Sequence, residues 1–300
     1  MARFEGNPIL RPVPEHPWES RYVFNPAMFE LEGKIHYIYR AMGEEMISRL
    51  GYACSKDGCT IDERLPYPIF EPAAPEEVRG VEDPRVTVIG DTCFMTYTAF
   101  AETSQIGITR IKTKDLLEKK WDWGKRVYPF PGETNKNAAL FPKKIRGKYA
   151  MFHRIDPNIW IAYSNEMKSW FDSRKIMGPR EGMWDCVKVG IAGPPIEIDE
   201  GWLQIYHGVD EHRVYRLGVL ILDREDPEKI IYRSEDPIIE PCEEYECRGL
   251  VPNVVFSCGA VMKGDGLQLS YGASDTVIGV TDFTLDEILS PFRDRRGSSF

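Results

Sequence analysis

Residues 79–86 read RGVEDPRV, and Asp83 there precedes a proline that keeps it out of helical conformation and fixes a turn. An aspartate so placed at a channel mouth has the chemistry of a general acid, although an Asp-Pro turn also uses such a residue simply to cap backbone N–H groups. Further reactive groups stand at the ends of aromatic-rich strands: Arg40, the pair His153 and Arg154, His207, and Asp275 just beyond Tyr271. Polar strand ends at a solvated channel are common singly, so the argument for chemistry is their convergence from distant stretches of chain. Metal chemistry has less support. The seven cysteines are scattered, and neither C-x4-C pair, Cys54/Cys59 or Cys242/Cys247, has a nearby histidine to complete a ligand set. They read as reduced thiols, several of them buried in strands, and no metal is assigned.

The elements that must bring these groups together show as an internal repeat. A glycine or turn followed by an alternating aromatic-rich strand recurs five times: GKIHYIYRA from Gly33, GDTCFMTYTA from Gly90, GKYAMFHRI from Gly147, GWLQIYHGV from Gly201 and GLQLSYGAS from Gly266. Their last aromatics, Tyr39, Tyr97, Phe152, Tyr206 and Tyr271, recur at roughly 55-residue intervals. A second apolar alternation follows each first one, so every unit is at least a hairpin. NPILRP at 7–12, YPIFEP at 67–72 and DPIIEP at 236–241 place prolines at both ends of a short edge strand. Units of short strands and turns predict an all-β chain folded as one five-bladed β-propeller over residues 1–300, with the innermost strands carrying the polar ends to a central channel. Two packed β-sandwiches are the alternative. Helical signals are confined to 113–121 and 284–292, the second expected to stop at Pro291.

Composition narrows the partners. A net charge of −9 without a basic run disfavours nucleic acid and anionic lipid, while 42% hydrophobic residues are ample for a folded core. The first residues, MARFEGNPIL, lack the basic start and apolar run of a secretory signal, and no stretch is long and apolar enough for a membrane span. The expected location is therefore the cytoplasm. Homo-oligomerisation is compatible with the sequence.

GVEDPRV, NKNAALFPKKIRGKY followed by FHR, VKVGIAGPPIEIDEGWLQIYHGV, LVPNVVF and YGASDT occur in that order, and between about Asn25 and Thr276 the chain resembles glycoside hydrolase family 130, the five-bladed-propeller β-mannoside phosphorylases. The resemblance implies attack of inorganic phosphate on the anomeric carbon of a non-reducing β-mannosyl residue with inversion, giving α-mannose 1-phosphate and a shortened acceptor. It implies Asp83 as proton donor to the glycosidic oxygen, directly or through a sugar hydroxyl. It implies Asn25, Arg40 and Asp275 as residues holding the mannosyl ring, and Lys136, Arg154, Lys188, His207 and Tyr215 as the phosphate site. No cofactor is implied, since phosphate is a co-substrate; the partners are a β-mannooligosaccharide and phosphate.

The physical logic agrees with that assignment. A dianionic nucleophile must be stripped of water and aimed at a carbon that becomes oxocarbenium-like, which calls for fixed cations and donors around its oxygens. Phosphate arrives ionised and needs no base, whereas an inverting hydrolase needs a second carboxylate across the sugar. Glu246, Asp185 and Asp156 are the carboxylates to inspect for a β-mannosidase, and a glycan-binding propeller would need no acid beside a basic pocket. Trp184, Tyr245 and Trp160 are aromatic candidates for an acceptor subsite. The compact length, without a long N-terminal extension, leans toward β-1,2- rather than β-1,4-linked substrates.

Overall fold

The recurrent aromatic strand is the second strand of each blade, not the innermost one expected from the sequence. In the computed structural model, which describes residues 1–297, the inner strands are Tyr22–Leu31, Gly80–Ile89, Lys136–Leu140, Lys188–Ile191 and Val255–Lys263. Antiparallel to them run Lys34–Met42, Thr92–Phe100, Tyr149–Ile155, Gly201–Val209 and Gly266–Ala273, and outward from these Arg49–Ser55, Ser104–Lys112, Asn158–Ser164, Tyr215–Leu222 and Val277–Thr284. These five sheets are blades I to V of a β-propeller. The units are thus larger than hairpins. The proline-flanked segments add only single bridges, Leu10 to Ile278, Leu50 to Phe70 and Leu217 to Ile239, because proline cannot donate to a ladder.

The ring closes through the N-terminus. Ala2–Arg3 adds an outer strand to blade V by pairing with Asp282 and Thr281. Apolar packing is distributed in layers between neighbouring blades. Phe70 of the blade I side meets Tyr97, and Phe141, packed on Phe152, meets Trp202. Burying each such side chain contributes roughly 1.5–3 kcal/mol.

The repeated tyrosine has a polar task that the alternation pattern does not reveal. Tyr39, Tyr97, Tyr206 and Tyr271 donate hydrogen bonds to Glu19 (2.9 Å), Glu77 (2.6 Å), Asp185 (2.8 Å) and Glu246 (2.8 Å), four fully buried carboxylates. Arginine completes each group: Arg64 on Glu19, Arg126 on Glu77, Arg180 and Arg233 on Asp185, and Arg3 on Glu246. Every tyrosine faces a glycine on the next strand; at Gly107 an added Cβ would run into the Tyr97 ring. In blade III the pair is Phe152 and Ile161, and apolar packing replaces the polar staple.

The C-terminal helix Leu285–Gly297 runs through Pro291 rather than stopping there. Ile288, Leu289 and Phe292 bury against Tyr232 and Phe283, so tertiary packing outweighs the lost N–H bond.

Candidate active site

Three inner strands break their ladders near one mouth of the channel. Two residues oppose one between Phe24 and Ala27, between Glu82 and Arg85, and across from His153 in blade III. The bulged residues Asn25, Asp83 and Asn137 have φ of 48°, 50° and 54°, the left-handed region that Asn and Asp enter at least cost among residues with a Cβ. Asp83 therefore lies at a bulge inside a strand rather than in the turn expected from the sequence. Because a bulge cancels the two-residue alternation, the consecutive residues Glu82 and Asp83 both line one cavity of about 160 Å³.

One side of this cavity is acidic and organised by Arg40. Its guanidinium donates to Glu82 (2.6 Å), Asp83 (3.3 Å) and Ser48 (2.8 Å), and Asn25 Nδ2 donates to Asp83 Oδ1 (2.9 Å). Burial raises the Asp83 pKa, but Arg40, Arg85 and the Asn25 bond outweigh it and hold the carboxyl below its usual range. Asp275 lies in the turn after the second strand of blade V, also left-handed at φ 51°. Burial pushes it up to about 6 against the opposing pull of Arg40, with Asp83 and Glu82 adding to the rise. Burial likewise raises Glu82.

The other side is basic. Lys136 and Arg154 stand opposite one another in the blade III ladder, a like-charge pairing that costs energy unless an anion joins them. Burial and the neighbouring Arg154 both lower the Lys136 pKa. Lys188 lines the same cavity, its Nζ 5.3 Å from the Tyr215 ring centroid. Arg154 Nη1 lies 3.3 Å from His207 Nε2, and Gly190, facing His207, leaves room for the ring where a Cβ would collide. His207 is kept neutral by burial and by Arg154, Arg85, Lys188 and Lys136.

Eight of the nine site residues expected from the sequence, Asn25, Arg40, Asp83, Lys136, Arg154, Lys188, Tyr215 and Asp275, line this cavity. His207 does not; it is fully buried one layer behind, against Arg154 and Phe256. His153 is also displaced from the cavity, stacked on Phe130 and bonded to Asn135 and Ser173. Of the hydrolase carboxylates, Asp185 and Glu246 are locked into blade staples, and Asp156 is 61% exposed, its Oδ1 3.4 Å from Arg154 Nε. Trp184 packs on Tyr206, Tyr245 bonds Tyr271, and Trp160 lies beside His153; none lines the cavity.

Sequence reasoning missed Glu82, Asn137 and Phe256, which do line it. The signal for the first two was the recurrence of Asn or Asp early in three of the five inner strands, before proline in NPAMF and EDPRV and before alanine in KNAAL. The Oδ1 atoms of Asn25 and Asn137, two residues of the cavity lining, are buried without a hydrogen-bond partner in the protein. Among the described residues no group of three or more His, Cys, Asp or Glu side chains is placed to hold a metal ion. No helix is long and apolar enough to cross a membrane.

A family model for glycoside hydrolase family 130, described as β-1,4-mannooligosaccharide phosphorylase, matches residues 1–293. Two relatives come from Thermoanaerobacter sp. (strain X514). A 1,2-β-oligomannan phosphorylase is 43% identical over 297 residues, covering 96% of this chain and 98% of its own. A β-1,2-mannobiose phosphorylase is 44% identical over 295 residues, covering 93% and 96%. The structure of β-1,2-mannobiose phosphorylase from Listeria innocua in complex with β-1,2-mannobiose superposes with a TM-score of 0.85 at 29% identity, covering 96% of this chain and 98% of that one.

Proposed function

This chain belongs to glycoside hydrolase family 130 and is a β-mannoside phosphorylase, and we propose that it cleaves β-1,2-linked mannobiose or oligomannoside with inversion to give α-mannose 1-phosphate and a shortened acceptor. The observation that carries this reading is the division of one cavity into a carboxylate side around Arg40 and a cationic side of Lys136, Arg154 and Lys188. The mannosyl ring binds among Asn25, Arg40 and Asp275, which offer donors and acceptors to its hydroxyls. Phosphate binds between Lys136, Arg154, Lys188 and Tyr215, with His207 supporting Arg154 from behind.

In the reaction a phosphate oxygen attacks the anomeric carbon as the bond to the glycosidic oxygen breaks, and the departing oxygen takes its proton from Asp83, directly or through a sugar hydroxyl. In the free protein Asp83 is held ionised by its cationic neighbours. A phosphate dianion offsets those cations and the bound sugar displaces water from the cavity; both raise the carboxyl and load the donor. Hydrolysis finds less support, because the cavity's further carboxylates, Glu82 and Asp275, belong with Asp83 around Arg40 rather than facing it across the sugar.

The β-1,2 preference rests on the names of the two relatives at 43 and 44% identity. Incubation with β-1,2- and β-1,4-mannobiose at equal concentration in phosphate, followed by anion-exchange analysis, tests it. Faster consumption of the β-1,2 isomer is expected; preference for the β-1,4 isomer would overturn the linkage.

A further inference from the structure

Arg85 is among the largest fully buried side chains, and it is a cation. It follows the Asp83 bulge in blade II, yet its partners lie mostly across the channel. Nη2 donates to the carbonyl of Ile191 at 3.1 Å and Nε to that of Ala192, both at the end of the blade IV inner strand, while Nη1 turns back to the carbonyl of Asp83 at 2.9 Å. Among the described residues no carboxylate forms an ion pair with it. A guanidinium buried without a carboxylate is unusual, since neutral carbonyls repay only part of its desolvation.

Arg85 does not line the cavity. Its guanidinium carbon lies 5.9 Å from the Phe256 ring centroid, and that ring also meets His207 at 4.6 Å and Tyr215 at 6.4 Å. It stands one layer behind both the bulge carrying Asp83 and the wall against which Arg154 rests. Arg85, Arg40, Lys136, Arg154 and Lys188 face three carboxylates of the cavity, Glu82, Asp83 and Asp275; the fourth, Asp156 beside Arg154, is largely exposed and screened by solvent, so the water-excluded part of the cluster carries an excess of two positive charges. Without Arg85 the excess is one, and a phosphate dianion carries two.

We infer that Arg85 is a positioning residue for phosphorolysis: it pins the Asp83 bulge to the inner strand of blade IV and supplies the fixed positive charge that completes neutralisation of bound phosphate. This inference rests on the phosphorolysis reading above. Two functions meet in one side chain. The three carbonyl bonds fix where the donor carboxyl sits, and the charge acts on donor and nucleophile through low-dielectric protein.

The test is phosphorolysis kinetics with phosphate varied, over a pH series, for wild type, Arg85→Gln and Arg85→Lys. Loss of the charge in Arg85→Gln is expected to raise the phosphate KM roughly tenfold or more, the scale of a unit charge acting over several ångström at an effective dielectric constant of about 20. Asp83 must be protonated to act, and it is faced by Arg40 and Asn25 from blade I, Glu82 and Arg85 on its own strand, Lys136 and Arg154 from blade III, and Asp275 and Cys258 from blade V. Removing one cation from that set moves the alkaline limb of kcat/KM to higher pH, by roughly one unit. Arg85→Lys keeps the charge but not the three bonds, so its phosphate KM and alkaline limb stay near wild type while its kcat falls, because the donor carboxyl is no longer pinned, and its Tm falls with it.

A folded Arg85→Gln variant with wild-type phosphate KM and an unmoved alkaline limb would reduce Arg85 to a brace and overturn the inference. If Arg85→Gln does not fold, Arg85→Lys decides: a tenfold loss of phosphate affinity despite the retained charge overturns it, and retention supports it. A wild-type enzyme indifferent to phosphate would remove the phosphorolysis reading itself, a result distinct from either variant's.

Discussion

Asn25 Nδ2 lies 2.9 Å from Asp83 Oδ1, a bond between the inner strands of adjacent blades whose two residues are both left-handed, at φ 48° and 50°. The donor carboxyl is therefore held by a neighbouring blade as well as its own strand. Asp83→Asn tolerates the same backbone conformation, so the variant should fold with an unchanged circular dichroism spectrum and little change in Tm. Its amide cannot supply the leaving-group proton, and kcat should fall by about 10²–10⁴-fold. Retention of a tenth of the wild-type rate would remove Asp83 from that role.

The cationic side makes a separable prediction. Arg154→Ala and Lys188→Ala should each raise the phosphate KM and lower kcat, together roughly ten- to a hundredfold in kcat/KM for phosphate, corresponding to about 1.5–3 kcal/mol for a charge-assisted bond. Calorimetric titration with mannobiose in the absence of phosphate should give a nearly unchanged Kd. Weakened mannoside binding with unaltered phosphate dependence would reverse the assignment of the two sides.

Asp275 sets an acid limit. Its carboxyl, raised by burial to about 6, accepts sugar hydroxyls best when ionised, so mannoside kcat/KM should fall as pH drops through that value. The sign for folding is opposite: the native state binds the extra proton between the ordinary carboxylate range and about 6, so this group's contribution to stability declines as pH rises through that window. Asp275→Asn should remove the acid limb centred near 6; persistence of that limb in the variant would place it on another group.

The blade staples predict stability rather than activity. Arg3→Ala leaves the buried Glu246 with Tyr271 and the backbone N–H groups of Cys242 and Glu243, and should cost toward the low end of about 3–5 kcal/mol in urea unfolding. Phe152→Tyr should also destabilise the fold, because its neighbour Ile161 leaves no glycine gap for a hydroxyl. A neutral effect of Arg3→Ala would mean that ring closure relies on apolar packing alone.

Much of this arrangement was legible in the sequence, and the failures have physical causes. The five aromatic strands revealed the propeller because second strands alternate strongly and end in turns. Inner strands were overlooked as strands: those of blades III and IV are short, and that of blade I is buried at seven consecutive positions, so no alternation marks them. The bulges hid Glu82 and Asn137, since simple alternation turns one of two consecutive residues away from the cavity. Arg40 and Asp275 could be read from strand ends, whereas Lys136, Lys188, Tyr215 and Asn25 emerged only through family resemblance. His207 was assigned to the phosphate site, but burial behind Arg154 makes its contact indirect. Arg85 carried no signal, because its partners are backbone carbonyls, two of the three more than a hundred residues away.

The central claim is that phosphate, not water, attacks the anomeric carbon. Proton and phosphorus NMR of β-1,2-mannobiose turnover, followed in phosphate and in phosphate-free buffer, tests it most directly. The expected result is α-mannose 1-phosphate formed in step with free mannose, with no turnover when phosphate is absent. Equal release of two mannose molecules in phosphate-free buffer, without a sugar phosphate, would contradict it.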